Sequence, residues 1–143
     1  MRAPTAAEML IDPTVLRALE QAWTDSLPAE PTRRHEEGGW VYMDPVTGRL
    51  SVRRAPAGTQ AVLDMSAPPI LAGSVIVGTF HTHPNPTSEG WYPGPSVEDT
   101  QSAWFLGVPC LIRADDGIYT TGPDSRRGGL HGAPGYPSSG YPS

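Results

Sequence analysis

His81-Thr82-His83 is the part of this chain most suited to chemistry. It follows a nearly continuous apolar run, Ser74 to Phe80, of the kind expected for a central strand buried on both faces. In an extended strand residues i and i+2 share a face, so His81 and His83 present two imidazoles together while Thr82 points away. Two neutral imidazoles are half of a divalent metal site. A carboxylate as third ligand would leave one tetrahedral position for water, whose pKa zinc lowers to about 7. Asp99, one turn into the next helix, is the candidate carboxylate. The plainer alternatives are a chance pair of strand-end histidines and, for Ser96-x-x-Asp99, a capping box. The conjunction of the two motifs is more specific than either alone.

The elements that must position these residues are legible as patterns. Asp12-Pro13-Thr14 is a helix start, and Val15, Leu19, Trp23 and Leu27 recur at a spacing of four, predicting a helix that ends near Ser26. Residues 39–43 and 49–54, joined by the turn Asp44-Pro45-Val46-Thr47-Gly48, read as a hairpin. A short third strand is expected over 60–64. Residues 84–95 hold too much Pro and Gly for a regular element. Ser96 then opens a helix expected to run to about Leu106, with Val97 and Trp104 on its inner side and Gly107 ending it. Residues 108–114 and 118–121 form a second hairpin about the turn Asp115-Asp116-Gly117. From Pro123 onward the composition is too poor in apolar residues to offset ordering entropy, so 123–143 read as a disordered Pro/Gly/Ser-rich tail.

Composition narrows the function. A chain of 143 residues allows one core and hence one site. A net charge of −5 and a pI of about 5.2, with no basic cluster larger than the pairs Arg33-Arg34, Arg53-Arg54 and Arg126-Arg127, argue against nucleic-acid binding. The single cysteine excludes thiolate zinc cages and an internal disulfide framework. No secretory signal or membrane span is visible, so the expected location is the cytoplasm. Cys110 reads as an inert core thiol, because nothing basic is adjacent in sequence, and His35 and His131 read as solvated.

Taken together, Glu36-Glu37-Gly38-Gly39, His81-Thr82-His83-Pro84 and Pro95-Ser96-Val97-Glu98-Asp99 resemble the signature of the JAMM/MPN+ (JAB-domain) metallopeptidases, a glutamate followed by His-x-His and Ser-x-x-Asp. The order of elements over residues 10–122 is also similar to that family. The resemblance implies an α/β fold, a single JAB/MPN domain (1–122) of the cytidine-deaminase-like type with a central mixed sheet flanked by helices. It implies that His81, His83 and Asp99 bind one zinc ion and that Ser96 hydrogen-bonds the developing oxyanion. Glu36 would take a proton from the zinc-bound water and pass it to the leaving amine. The family's spacing to the next strand favours Glu36 over Glu37, although adjacent extended residues face opposite ways and either could be the one that reaches the site.

The activity so implied is a zinc-dependent isopeptidase or peptidase that cleaves after the C-terminal Gly of a ubiquitin-like protein, with that protein or its conjugate as partner. Alternatives are a non-catalytic scaffold of the same fold, a peptidase of a toxin or conflict system, and a processor of a sulfur-carrier protein. The segment 84–95 is longer than is usual in the family, and its Trp91 and Tyr92 are candidates to grip a peptide or to pack over the helix. Arg126-Arg127-Gly128-Gly129 resembles the end of a ubiquitin-like modifier but reads more simply as linker.

Overall fold

The computed structural model describes residues 2–124; the Arg126 to Gly129 stretch, His131 and all but the first two residues of the expected tail lie outside them. The architecture is α/β. A five-stranded mixed sheet, its strands in the order β2 (Leu50–Arg54), β1 (Gly38–Met43), β3 (Val75–Thr82), β4 (Cys110–Ala114), β5 (Gly117–Thr121), lies between helices α1 (Ala6–Met9) and α2 (Pro13–Asp25) on one face and helix α3 (Val97–Leu106) with the β2–β3 connection on the other. No helix among the described residues is long and apolar enough to cross a membrane.

Helix α1, Ala6–Met9, is a single turn that the apolar spacing does not reveal. Its capping box is complete, with Thr5 Oγ1 accepting the Glu8 N–H and the Glu8 carboxylate accepting the Thr5 N–H. Helix α2, Pro13–Asp25, begins as its sequence predicts: Asp12 accepts the Thr14 and Val15 amides, and Pro13 supplies a φ already suited to the first turn. Val15, Leu19 and Ala22 are buried, but the expected series stops before Leu27, whose positive φ of 53° turns the chain out of the helix. Trp23 is half-buried beneath the Arg113 guanidinium, 4.4 Å from its ring centre.

The hairpin of β1 (Gly38–Met43) and β2 (Leu50–Arg54) closes on Asp44, whose Oδ1 accepts the Val46 N–H at 2.8 Å. β3 (Val75–Thr82) runs antiparallel to β1, with Gly38 opposite His81, and parallel to β4 (Cys110–Ala114), with His81 opposite Ile112. A parallel pair needs a crossover, here residues 83–109 with α3 (Val97–Leu106). β5 (Gly117–Thr121) completes the second hairpin. Gly38 permits a close approach: a Cβ there would overlap the Phe80 carbonyl and press on the His81 Cα.

Two expectations fail. Residues 60–64 form no strand, because Thr59 turns the chain back on itself: its N–H donates to the Val62 carbonyl and its hydroxyl accepts the Val62 N–H. This segment instead flanks Glu36, whose N–H donates to the Thr59 carbonyl and whose carbonyl accepts the Gly58 N–H, each at 2.8 Å. In α3, Val97 and Trp104 do not face inward; they are 38% and 61% exposed, and Ala103 is the buried residue. Small side chains set that contact: Thr100 and Thr121 share a hydroxyl hydrogen bond of 2.7 Å, and a Cβ on Gly122 would collide with that of Ala103. The helix lies too close for a large residue on its inner side, so the large ones turn outward.

The end of β3 is fixed from its other face. Ser26, the C-cap of α2, donates its hydroxyl proton to the Ala22 carbonyl at 2.8 Å, so it accepts from Thr82 Oγ1 at 2.6 Å. Thr82 Oγ1 in turn accepts the Glu37 N–H at 3.0 Å, and the Thr82 N–H donates to the Glu37 carbonyl at 2.9 Å. All three residues are buried. Replacing Thr82 with Val strands the Glu37 amide, and we expect a loss of about 1–3 kcal/mol of stability, measured by denaturant unfolding; an unchanged midpoint would show that the junction is not needed.

Candidate metal centre

The alternation that buries Phe80 and Thr82 on the α2 side turns His81 and His83 to the α3 side. His81 Nε2 and His83 Nε2 are 3.1 Å apart. Asp99 closes the group, with Oδ1 at 3.3 Å from His81 Nε2 and Oδ2 at 3.3 Å from His83 Nε2. A tetrahedral ion with bonds of about 2.0–2.1 Å holds its ligand atoms about 3.3–3.4 Å apart, so the donor types fit and each pair distance is close to that separation, with the two histidines facing different oxygens of Asp99. His81, His83 and Asp99 could hold a metal ion.

Asp99 reaches this position because α3 starts where it does. Ser96 is the N-cap: its Oγ accepts the Asp99 N–H at 3.0 Å, while Asp99 Oδ2 accepts the Ser96 N–H at 2.9 Å. The capping box and the metal-ligand reading therefore apply to the same carboxylate. Ser96 Oγ spends one lone pair on the cap and keeps its proton to donate, beside the third ligand.

The remaining nitrogens of the two imidazoles also have partners. His83 Nδ1 is 3.1 Å from the Pro93 carbonyl, which can only accept, so Nδ1 carries the proton and Nε2 offers its lone pair to the centre. His81 Nδ1 is 3.5 Å from Cys110 Sγ. Cys110 is buried but is not isolated from basic groups, as its sequence neighbours had suggested. The parallel ladder, which sets it opposite Thr79, brings it under His81, and no local pattern carries that information.

The two glutamates part as extended neighbours must. Both are 8% exposed, so neither belongs to a solvated surface pair. Glu37 is engaged by Arg54 at Oε1 and by His35 at Oε2, each at 2.6 Å, with Arg54 also on Asp25 at 3.0 Å. His35 is thus half-buried, not solvated, and its hydrogen bond to the Arg33 carbonyl and then Glu37 raise its pKa against the opposing effect of burial. Glu36 lies in the field of the metal-site group. Burial raises its pKa, His81 and His83 lower it, and Asp99 raises it again, leaving it above the ordinary carboxylate value.

The long segment 84–95 is tied down at four points. Asn85 exchanges hydrogen bonds with Gln60, Thr87 donates twice to Asp115, Glu89 meets Arg34 at 2.9 Å, and the Pro93 carbonyl meets His83. Trp91 is 42% exposed. Tyr92 is half-buried, folded over Gly94 so closely that a Cβ there would clash with its ring. The aromatic pair is therefore divided: one member is open to a ligand, the other packs.

Electrostatics make metal binding sensitive to pH. Burial would raise the Asp99 pKa, but the charge and hydrogen bonds of His81 and His83 hold it far below the carboxylate range. Burial would lower that of His81, but Asp99 and Cys110 hold it well above the ordinary imidazole value. The pair thus favours an ionised Asp99 and a protonated His81, whose proton a metal must displace. A divalent ion should therefore bind more tightly as pH rises, by about tenfold per unit until the metal-free His81 has titrated. Competition with a chelator at several pH values checks this, and a flat profile would contradict it.

Compared with protein-family models, curated proteins and solved structures, the chain matches none.

Proposed function

We propose that this chain is a zinc-dependent metallopeptidase of the JAB/MPN type, with a cytidine-deaminase-like sheet, that cleaves the amide after the C-terminal Gly of a ubiquitin-like protein. The observation that carries the reading is the convergence of His81 Nε2 and His83 Nε2, 3.1 Å apart, on the Asp99 carboxylate, each 3.3 Å from one of its two oxygens, beside a buried carboxylate, Glu36, that has no ion pair among the described residues. A bland capping box would explain Asp99 alone, but not two imidazoles turned onto it.

Zinc, bound there, would polarise the scissile carbonyl and acidify a water molecule. The other roles fall to this chain's own groups. Glu36 takes the proton of the attacking water and returns it to the leaving nitrogen, and a carboxyl group whose pKa is lifted by burial is suited to both halves of that task. The Ser96 hydroxyl, its proton free of the cap, donates to the oxygen that gains charge. Trp91 offers an exposed aromatic face to an extended peptide. A cytoplasmic location goes with this reading, in keeping with a free Cys110.

The test is purified protein with measured zinc stoichiometry, offered ubiquitin-like fusions with and without a chelator. Glu36→Gln should keep its metal and lose about 10²–10⁴ in rate, whereas Glu37→Gln should lose stability more than rate. Asp99→Ala should lose metal. No cleavage by wild type together with zinc retained by Asp99→Ala would end the catalytic reading in favour of a scaffold, and full activity in Glu36→Gln would move the base elsewhere.

A further inference from the structure

A ligating imidazole needs its second nitrogen held, because that hydrogen bond fixes both the tautomer and the rotation of the ring. For His83 the holder is a backbone carbonyl, Pro93 O. For His81, which is more deeply buried than His83, the partner is Cys110 Sγ at 3.5 Å, a normal length when sulfur is the acceptor. The geometry leaves little choice about direction. If Nε2 turns its lone pair to the metal, the single proton of a neutral ring sits on Nδ1, and Nδ1 donates to the sulfur. Cys110 cannot readily move away, since it packs with Ala103, Ile112, Ala114 and Tyr119 and opens β4 in register with Thr79.

We propose that Cys110 is a positioning residue of the metal centre: its sulfur accepts the Nδ1–H of His81 and so keeps Nε2 turned toward Asp99 and His83. This deepens the metal-centre reading and rests on it. It assigns the one cysteine of the chain a role other than core filling. A carbonyl or carboxylate is the common partner in this position. A thiol is a weaker acceptor, but it also suits the apolar cluster that α3 and β4 build around it.

Three variants of the full chain separate positioning from packing. Cys110→Val keeps an apolar side chain of similar size without an acceptor, Cys110→Ala removes both, and Cys110→Ser restores an acceptor. Zn²⁺ and Co²⁺ affinities would be measured by chelator competition, with the Co²⁺ absorption spectrum as a report on ligand geometry and denaturant unfolding of the metal-free proteins as a control. Expected are a loss of about 10–100-fold in affinity for Val and Ala, an altered Co²⁺ spectrum, and recovery of most of the affinity in Ser. Wild-type affinity in Cys110→Val, or an equal loss in Val and Ser, would overturn the proposal. If wild type binds neither ion, the metal reading fails by itself, and Cys110 is then judged in the metal-free protein by nitrogen-15 NMR of the His81 ring. A sheltered Nδ1–H present in wild type and Ser but lost in Val supports the hydrogen bond, and its absence from wild type refutes it.

Discussion

The site depends on a residue that does not enter it. Thr82 stands between the two histidines and faces the opposite way, where its hydroxyl joins the Ser26 cap of α2 to the Glu37 amide, and its own amide meets the Glu37 carbonyl. One buried side chain thus sets the height of β3 against both the first helix and the segment that carries Glu36. Because side chains alternate along a strand, fixing Thr82 on one face fixes His81 and His83 on the other. A slip of one residue would exchange the faces and bury the imidazoles against α2. The polar junction is what makes that slip costly, since it would leave several buried donors and acceptors unpaired.

The third ligand is positioned by a different device. Asp99 Oδ2 takes the Ser96 amide while the opposite oxygen faces His81, so the rotamer that caps α3 is the one that points into the site. A capping box stabilises a helix start wherever it occurs, which explains why the motif by itself says little. Here α3 also packs closely through Thr100 and Ala103, and that close packing brings its first turn to the end of β3. Local capping fixes the side chain and long-range packing fixes the helix.

What could be read from the sequence follows the same division. The strand pair of histidines, the caps of α2 and α3, and both hairpins are encoded by spacing, capping residues and turn residues over a few positions, and they are legible. The failures lie where a choice is made at a distance. Residues 60–64 have strand-like composition but fold back at Thr59 to flank Glu36. The inner side of α3 is decided by Gly122 and Thr121 across the chain, not by the hydrophobicity of Val97 and Trp104. That Glu36 and Glu37 face apart is legible from alternation, but which one faces the histidines is decided by Arg54 and His35, which claim Glu37. Cys110 shows the same limit, since its neighbour His81 is reached only through the parallel pairing of β3 and β4.

Charge balance gives a further reason to read the centre as a cation site. Asp99 and Glu36 are two carboxyl groups within each other's field, and Asp99 pushes the Glu36 proton affinity up while the histidines push it down. Without a cation the group is held together by a proton on His81, which Asp99 stabilises against burial. That proton can satisfy only one contact, whereas the two imidazole nitrogens lie 3.1 Å apart and each is 3.3 Å from a different oxygen of Asp99. Two imidazole nitrogens this close cannot both carry protons, and one must turn a lone pair on the other. A divalent ion between them would replace that single shared proton with bonds to all three groups and offset the charge of the second carboxylate as well. An arrangement that is internally short of positive charge, with its outer nitrogens already held by Pro93 and Cys110, is one whose geometry does not need to be created by the metal it would bind.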